Sequence, residues 1–243
     1  MKKLVLLDLD NTLLPFSFYW EQANIEIFNS SNLTKNLEYD SFIGLYRKYD
    51  KELWGLHTQQ LITLDELRQQ RLIKTMKDFQ ITVSVDEAQN YFDEFFHNLI
   101  DRIIPDSRIN NMLLSLQKNY KVGILTNGKI TEQKQKIEKM KLNDAISSNQ
   151  IFISDEIGYE KPDPKSFHYV LNELGMRNVE SIYVGDSWGN DIVGAIDAGL
   201  EAIWVNEDNV LTKNSYNGSK VIEISSILNL ENVLQSINNT LAK

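Results

Sequence analysis

Lys3-Leu4-Val5-Leu6-Leu7-Asp8-Leu9-Asp10-Asn11-Thr12 decides how the rest of the chain is read. Its apolar run is too short for a helix, and its flanks favour a buried strand. Extended backbone alternates sides, so Asp8 and Asp10 fall on one side just past the strand. Two carboxylates that close repel unless a cation neutralises them, and hard oxygen donors favour Mg²⁺. Standing alone, Asp-x-Asp could equally begin a turn or cap a helix.

Downstream the pattern changes twice. Residues 18–31, 39–56, 64–79 and 85–103 mix apolar and polar positions at helical spacing, and Thr63/Glu66 and Ser84/Glu87 match the S/T-x-x-E start signal. Beyond residue 105, strands and helices alternate. The strands are Lys121–Thr126, Gln150–Ile153, Ser181–Gly185, Ala202–Val205 and Lys220–Ile224. The helices are Thr131–Met140, Pro164–Leu174, Asn190–Ala198 and Leu230–Leu241. Non-alternating apolar strands separated by helices predict a doubly wound α/β fold, with a parallel sheet covered on both faces. Pro15 and Pro105 bracket the helical block. The expected organisation is an α/β core of residues 1–14 and 106–243, with a helical domain of residues 15–105 inserted after the first strand. Residues 206–217 are polar and turn-rich and read as a surface loop.

Composition narrows the function. At 42% hydrophobic and 24% charged, the 243 residues are ordinary for a globular chain, which excludes disorder. Lys+Arg is 25 and Asp+Glu 34, a net charge of 25 − 34 = −9. So acidic a chain is a poor binder of nucleic-acid polymers. The absence of cysteine excludes disulfides, thiolate metal sites and thiol nucleophiles. The N-terminal apolar run is cut by Asp8 and Asp10, so it reads as neither a signal sequence nor a membrane span. The expected location is the cytoplasm.

In an open α/β sheet, ligands sit beyond the carboxyl ends of the strands. Three further strand ends carry chemistry. Thr126-Asn127-Gly128 offers a hydroxyl and backbone N–H groups to phosphate oxygens. Lys161 precedes Pro162 in Gly158-Tyr159-Glu160-Lys161-Pro162-Asp163-Pro164, and the proline keeps it extended, ready to meet an anion. Gly185-Asp186-Ser187-Trp188-Gly189-Asn190-Asp191 supplies two more carboxylates beside the first pair. Each motif alone could be a cap or a surface charge.

Their order along the chain resembles the haloacid dehalogenase-like hydrolases, specifically the subfamily with a helical cap inserted after the first strand. The resemblance implies a Rossmann-like core and a Mg²⁺-dependent phosphatase working through an aspartyl-phosphate. It makes Asp8 the nucleophile and Asp10 the general acid and base. Thr126, Asn127 and Lys161 would bind the phosphoryl group, and Asp8, Asp10 (by its main-chain carbonyl), Asp186 and Asp191 would hold the metal. Members that dehalogenate lack an acid at the position of Asp10, so its presence favours phosphate esters. A phosphomutase of the same fold, or a non-catalytic binding protein, stays open as an alternative. Residues 127–149 leave no room for a second large cap.

Leu53-Trp54-Gly55-Leu56-His57 and Ile62–Arg71 are loosely similar to the caps of pyrimidine 5′-nucleotidases and acylneuraminate-phosphate phosphatases. The implied substrate is a small phosphorylated metabolite, first a nucleoside monophosphate and second a sugar phosphate. Trp20 or Trp54 would stack on a base. Arg68 and Arg71, at i, i+3, read as solvated surface. The oligomeric state is expected to be monomer or homodimer, with neither membrane nor nucleic acid as partner.

Overall fold

The computed structural model describes residues 3–207 and 215–241. The chain divides into two compact units, one of Met1–Ser17 with Ile103–Lys243 and the other of Phe18–Arg102. Part of the loop expected at 206–217 lies outside the described residues.

In the first unit, β1 (Leu4–Leu7) has all four side chains buried, as a strand covered on both faces must. Around it run β2 (Lys121–Thr126), β3 (Ile151–Ile153), β4 (Ser181–Gly185), β5 (Glu201–Val205) and β8 (Ile222–Ile224), in the order β3-β2-β1-β4-β5-β8. Every neighbouring pair is parallel. Leu4 is in register with both Lys121 and Ser181, so the amino ends of β1, β2 and β4 lie level, and at the carboxyl end β2 and β4 run two and one residues beyond Leu7. The order reverses direction at β1, which places the ligand-binding crevice between β1 and β4. The short β6 (Ser215–Tyr216) and β7 (Ser219–Lys220) form a separate antiparallel hairpin.

The connecting helices are α5 (Ser107–Leu116), α6 (Ile130–Lys139), α7 (Ser154–Ile157), α8 (Pro164–Leu174), α9 (Gly194–Asp197) and α10 (Leu230–Leu241). One sheet face buries Leu4, Leu6, Phe152 and Tyr183 with Phe167 and Val170 of α8. The ends of α8 follow from sequence: Asp163 accepts the Lys165 N–H, Pro164 occupies the first turn, and Gly175 closes the helix with φ 61°.

The second unit holds α1 (Phe16–Ser30, whose first two residues belong to the first unit), α2 (Tyr39–Thr58), α3 (Leu64–Asp78) and α4 (Val85–Arg102). The α3 helix packs against both α2 and α4. Both expected helix starts are made by reciprocal bonds, Thr63 with Glu66 and Ser84 with Glu87. Aromatic rings fill the interior: Phe42 lies 5.1 Å from Phe28 and stacks at 5.3 Å on Tyr46. No helix among the described residues is long and apolar enough to cross a membrane.

Two expectations need correction, and α5 adds a helix to those expected; Asp106 caps it by accepting the Arg108 N–H. The expected helix Asn190–Ala198 starts earlier as a π-helical turn, Trp188–Val193, and becomes α-helical only at Gly194. The expected strand Lys220–Ile224 is two pieces, because Ser219–Lys220 folds back on Ser215–Tyr216.

Candidate active site

The loop after β1 is wound tightly around one carbonyl. Leu9 C=O accepts the N–H groups of Thr12, Leu13 and Leu14, while Asn11 takes a left-handed conformation with φ 60°. Asp8 continues the pairing to β4 through its own N–H, which donates to Val184 C=O at 2.9 Å. That anchors the Asp8 side chain at the strand end, 6% exposed.

Asp8, Asp186 and Asp191 converge there, each offering a carboxylate oxygen within 4.8 Å of the others. Lys161 Nζ donates to Asp8 Oδ1 at 2.6 Å, to Asp191 Oδ1 at 2.6 Å and to Tyr183 Oη at 2.7 Å. Tyr183 in turn donates to Leu125 C=O at 2.9 Å. The second Asp191 oxygen accepts the Ser187 N–H at 2.9 Å. Asp186 is fixed through its main chain, whose carbonyl accepts Trp204 Nε1–H at 2.8 Å, and the Trp188 ring sits edge-on to Trp204. Gly185 is required beneath this cluster: a Cβ there would lie 2.4 Å from Asp191 Oδ2.

One ammonium does not neutralise three carboxylates, two of them buried and the third, Asp186, half-buried. Burial, followed by Asp191 and Asp186, raises the Asp8 carboxyl well above its ordinary range, against the opposing pull of Lys161. Burial and then Asp191 push Asp186 up to about 7. Burial alone would lower the Lys161 ammonium, but Asp191 and Asp8 outweigh it, and the group is held above its ordinary value. A cluster of hard oxygens carrying surplus negative charge in a poorly hydrated place fits a small divalent cation such as Mg²⁺.

Asp10 keeps different company. Its carboxylate accepts Lys136 Nζ at 3.0 and 2.8 Å and Gln133 Nε2 at 3.1 Å, and it is not part of the three-carboxylate group. Thr126 is buried with its hydroxyl 2.6 Å from Gln133 Nε2. Asn127 brackets Lys161 by a reciprocal pair: its amide donates to Lys161 C=O at 2.8 Å and accepts the Lys161 N–H at 2.9 Å. Gly128 N–H donates to Ser154 Oγ at 3.0 Å, tying the β2 turn to the start of α7. Sequence reasoning brought Asp8, Asp10, Thr126, Asn127, Lys161, Asp186 and Asp191 to one end of the sheet and missed Gln133, Lys136 and Tyr183. The signal available was the spacing of Gln133 and Lys136, one helical turn apart directly after the Thr126 loop.

The two tryptophans singled out for substrate contact belong to the helical unit. Trp20 is half-buried against Tyr46 and Phe95, with centroids 6.2 and 6.3 Å away. Trp54 is 43% exposed and meets His57 edge-on. The expectation that Arg68 and Arg71 are solvated is overturned. The Arg71 guanidinium is buried, 4.5 Å from the Tyr46 centroid and paired with Asp50 at 2.6 Å. Arg68 lies over the Phe92 ring at 4.2 Å. Neighbouring aromatic faces on α2 and α4 draw both cations inward.

Comparison with known proteins places this geometry. The HAD-hydrolase YfnB of Bacillus subtilis (strain 168) is 26% identical over 242 residues, covering 95% of this chain and 97% of that protein. Its magnesium-bound crystal structure shares the fold at a TM-score of 0.81 and 22% identity, covering 96% of this chain and 99% of that one. The pyrimidine 5′-nucleotidase YjjG of Escherichia coli (strain K12) is 27% identical over 83% of this chain and 85% of its own. Human N-acylneuraminate-9-phosphatase is 33% identical over 53% of this chain and 51% of its own length. The haloacid dehalogenase-like hydrolase model matches residues 5–205, and with that span taking in β2 to β5, nearly all of β1 and every strand-end motif, the chain belongs to the haloacid dehalogenase-like hydrolases.

Proposed function

We propose that this hydrolase is a Mg²⁺-dependent phosphatase of small phosphorylated metabolites, with nucleoside monophosphates the first substrate class and sugar phosphates the second. The observation that carries it is the convergence of buried Asp8 and Asp191 and half-buried Asp186 near Lys161, with Thr126 and Asp10 linked beside it through Gln133. The pyrimidine 5′-nucleotidase and N-acylneuraminate-9-phosphatase among the relatives support the substrate classes. The chain acts in the cytoplasm, as a monomer or homodimer.

The chemistry follows from the side chains. An Asp8 oxygen attacks phosphorus, and the P–O bond to the leaving group breaks as that oxygen takes a proton from Asp10. Water then attacks phosphorus, giving its proton to the Asp10 carboxylate. The bond to Asp8 breaks, and phosphate leaves with Asp8 restored. Thr126, the Asn127 N–H and Lys161 hold the phosphoryl oxygens through the transfer. Asp8, Asp186, Asp191 and the Asp10 carbonyl would hold Mg²⁺, which would supply the positive charge that lets one anion approach another. In the helical unit Trp54, with its ring exposed, is the stronger candidate of the two tryptophans to stack on a base.

The test is phosphate release from a panel of nucleoside monophosphates and sugar phosphates, with Mg²⁺ and with EDTA, for the wild type and Asp8→Asn. Release that needs both Asp8 and Mg²⁺ is the expected result. A folded wild type that releases nothing from any ester, or an Asp8→Asn variant as active as the wild type, overturns the reading.

A further inference from the structure

Two side chains of α6 do something the strand-end motifs do not explain. Lys136 is 4% exposed, yet its ammonium reaches both oxygens of Asp10, at 3.0 and 2.8 Å, across the face of Phe16, whose ring centroid lies 4.2 Å away. A lysine is rarely this buried unless its charge is matched, and burial costs it hydration that the Asp10 contact offsets. Gln133 is 1% exposed. Its amide nitrogen lies 3.1 Å from Asp10 Oδ2, 2.6 Å from Thr126 Oγ1 and 3.0 Å from Asn127 C=O. Three donor contacts from one helix thus fix a carboxylate that stands on a loop. The same helix ties that carboxylate to the hydroxyl at the end of β2.

The geometry points to Lys136 and Gln133 as positioning residues for the proton transfers of Asp10. The inference rests on the phosphatase reading above, in which Asp10 serves the leaving group and then water. Neither residue needs to touch substrate. Lys136 holds the plane of the carboxyl group, and Gln133 keeps it in register with the phosphate-binding turn. A proton donor on a mobile loop would spend time in unproductive rotamers, and loss of alignment is costly even when every reacting group is present.

The experiment compares kcat/KM for two esters, p-nitrophenyl phosphate and a nucleoside 5′-monophosphate, in the wild type, Lys136→Met, Lys136→Arg, Asp10→Asn and the Asp10→Asn/Lys136→Met double variant. The parameter kcat/KM reports the steps up to formation of the aspartyl-phosphate, where only the alkyl leaving group needs a proton. Lys136→Met is expected to lose about tenfold or more on the nucleotide, and much less on the aryl ester. Lys136→Arg should recover most of the loss, and the double variant should be no slower than Asp10→Asn alone. If Lys136→Met does not fold by circular dichroism, Lys136→Gln replaces it, neutral but still able to donate one hydrogen bond. Equal losses on both esters, or a loss that adds to that of Asp10→Asn, overturn the assignment while leaving the phosphatase reading intact. A wild type that hydrolyses neither ester overturns that reading and this inference with it.

Discussion

Lys161 in the sheet unit and Arg71 in the helical unit are cations buried to the same extent, both 5% exposed. Arg71 meets one carboxylate, Asp50, and one aromatic face, Tyr46, so its charge is balanced where it stands. Lys161 meets two carboxylates and lies beside a third, so the surroundings stay anionic even with the ammonium present. Folding alone gives no reason to gather like charges in a dry place. The balanced pair is what a helical bundle uses to hold its interior together. The unbalanced one is a standing demand for a further cation, and strain of that kind is characteristic of functional sites.

The largest effect that tests this contrast is Asp8→Asn. Phosphate release should fall by at least about 10³-fold, as when a nucleophile is removed. Thermal stability in EDTA should not fall, since the substitution relieves repulsion. A marked drop in melting temperature would make Asp8 a structural ion partner like Asp50 and erase the contrast. Next comes Arg71→Met, which leaves Asp50 without its partner and Tyr46 without its cation. Urea unfolding should show a loss of about 3 kcal/mol, at the low end for a broken buried pair because Asp50 keeps some access to water. The variant should still bind Mg²⁺. Smaller again, Mg²⁺ at tenfold excess over its Kd should stabilise the wild type by about 1.4 kcal/mol. Asp191→Asn should lose most of that shift, measured by thermal melting with and without the ion. Smallest is Thr63→Ala at the start of α3, expected to cost about 1 kcal/mol in the same unfolding assay and to leave the Mg²⁺ shift untouched.

Much of the sheet unit was legible because its signals are local. Pro164 and Gly175 punctuate α8 at both ends, and the apolar runs of β2 and β4 have no competing reading. The misses also have physical causes. Asp106 directly after Pro105 is a start signal for α5, but the adjacent proline reads as a boundary and masks the cap. Asn217-Gly218, with φ 49° and 77°, is a tight-turn pair that breaks the last apolar stretch into a hairpin arm and an edge strand. At the site, the residues that follow a strand stand out through the order of their motifs and the family resemblance that order carries. Lys136 and Gln133 do not, because a polar helix with three lysines between residues 130 and 139 reads as a wet surface until the strand-end loop it covers is known. Arg68 and Arg71 escaped for the converse reason: the rings that draw them inward come from other helices.

The place of β1 has a consequence for how the protein is made. This strand is synthesised before the other five of its sheet, yet it sits in the middle, and both of its edges wait for β2 and β4. All of α1 to α5 must leave the ribosome before even the first of those partners exists. Throughout that interval the nascent chain carries a fully apolar strand with two open hydrogen-bonding edges, the form of backbone most prone to pair with a stranger. The helical unit, whose contacts are all close in sequence by comparison, can fold meanwhile. The insertion therefore imposes a delay between the synthesis of Asp8 and the moment it can be housed, and this segment must be kept from aggregating until the fourth strand arrives.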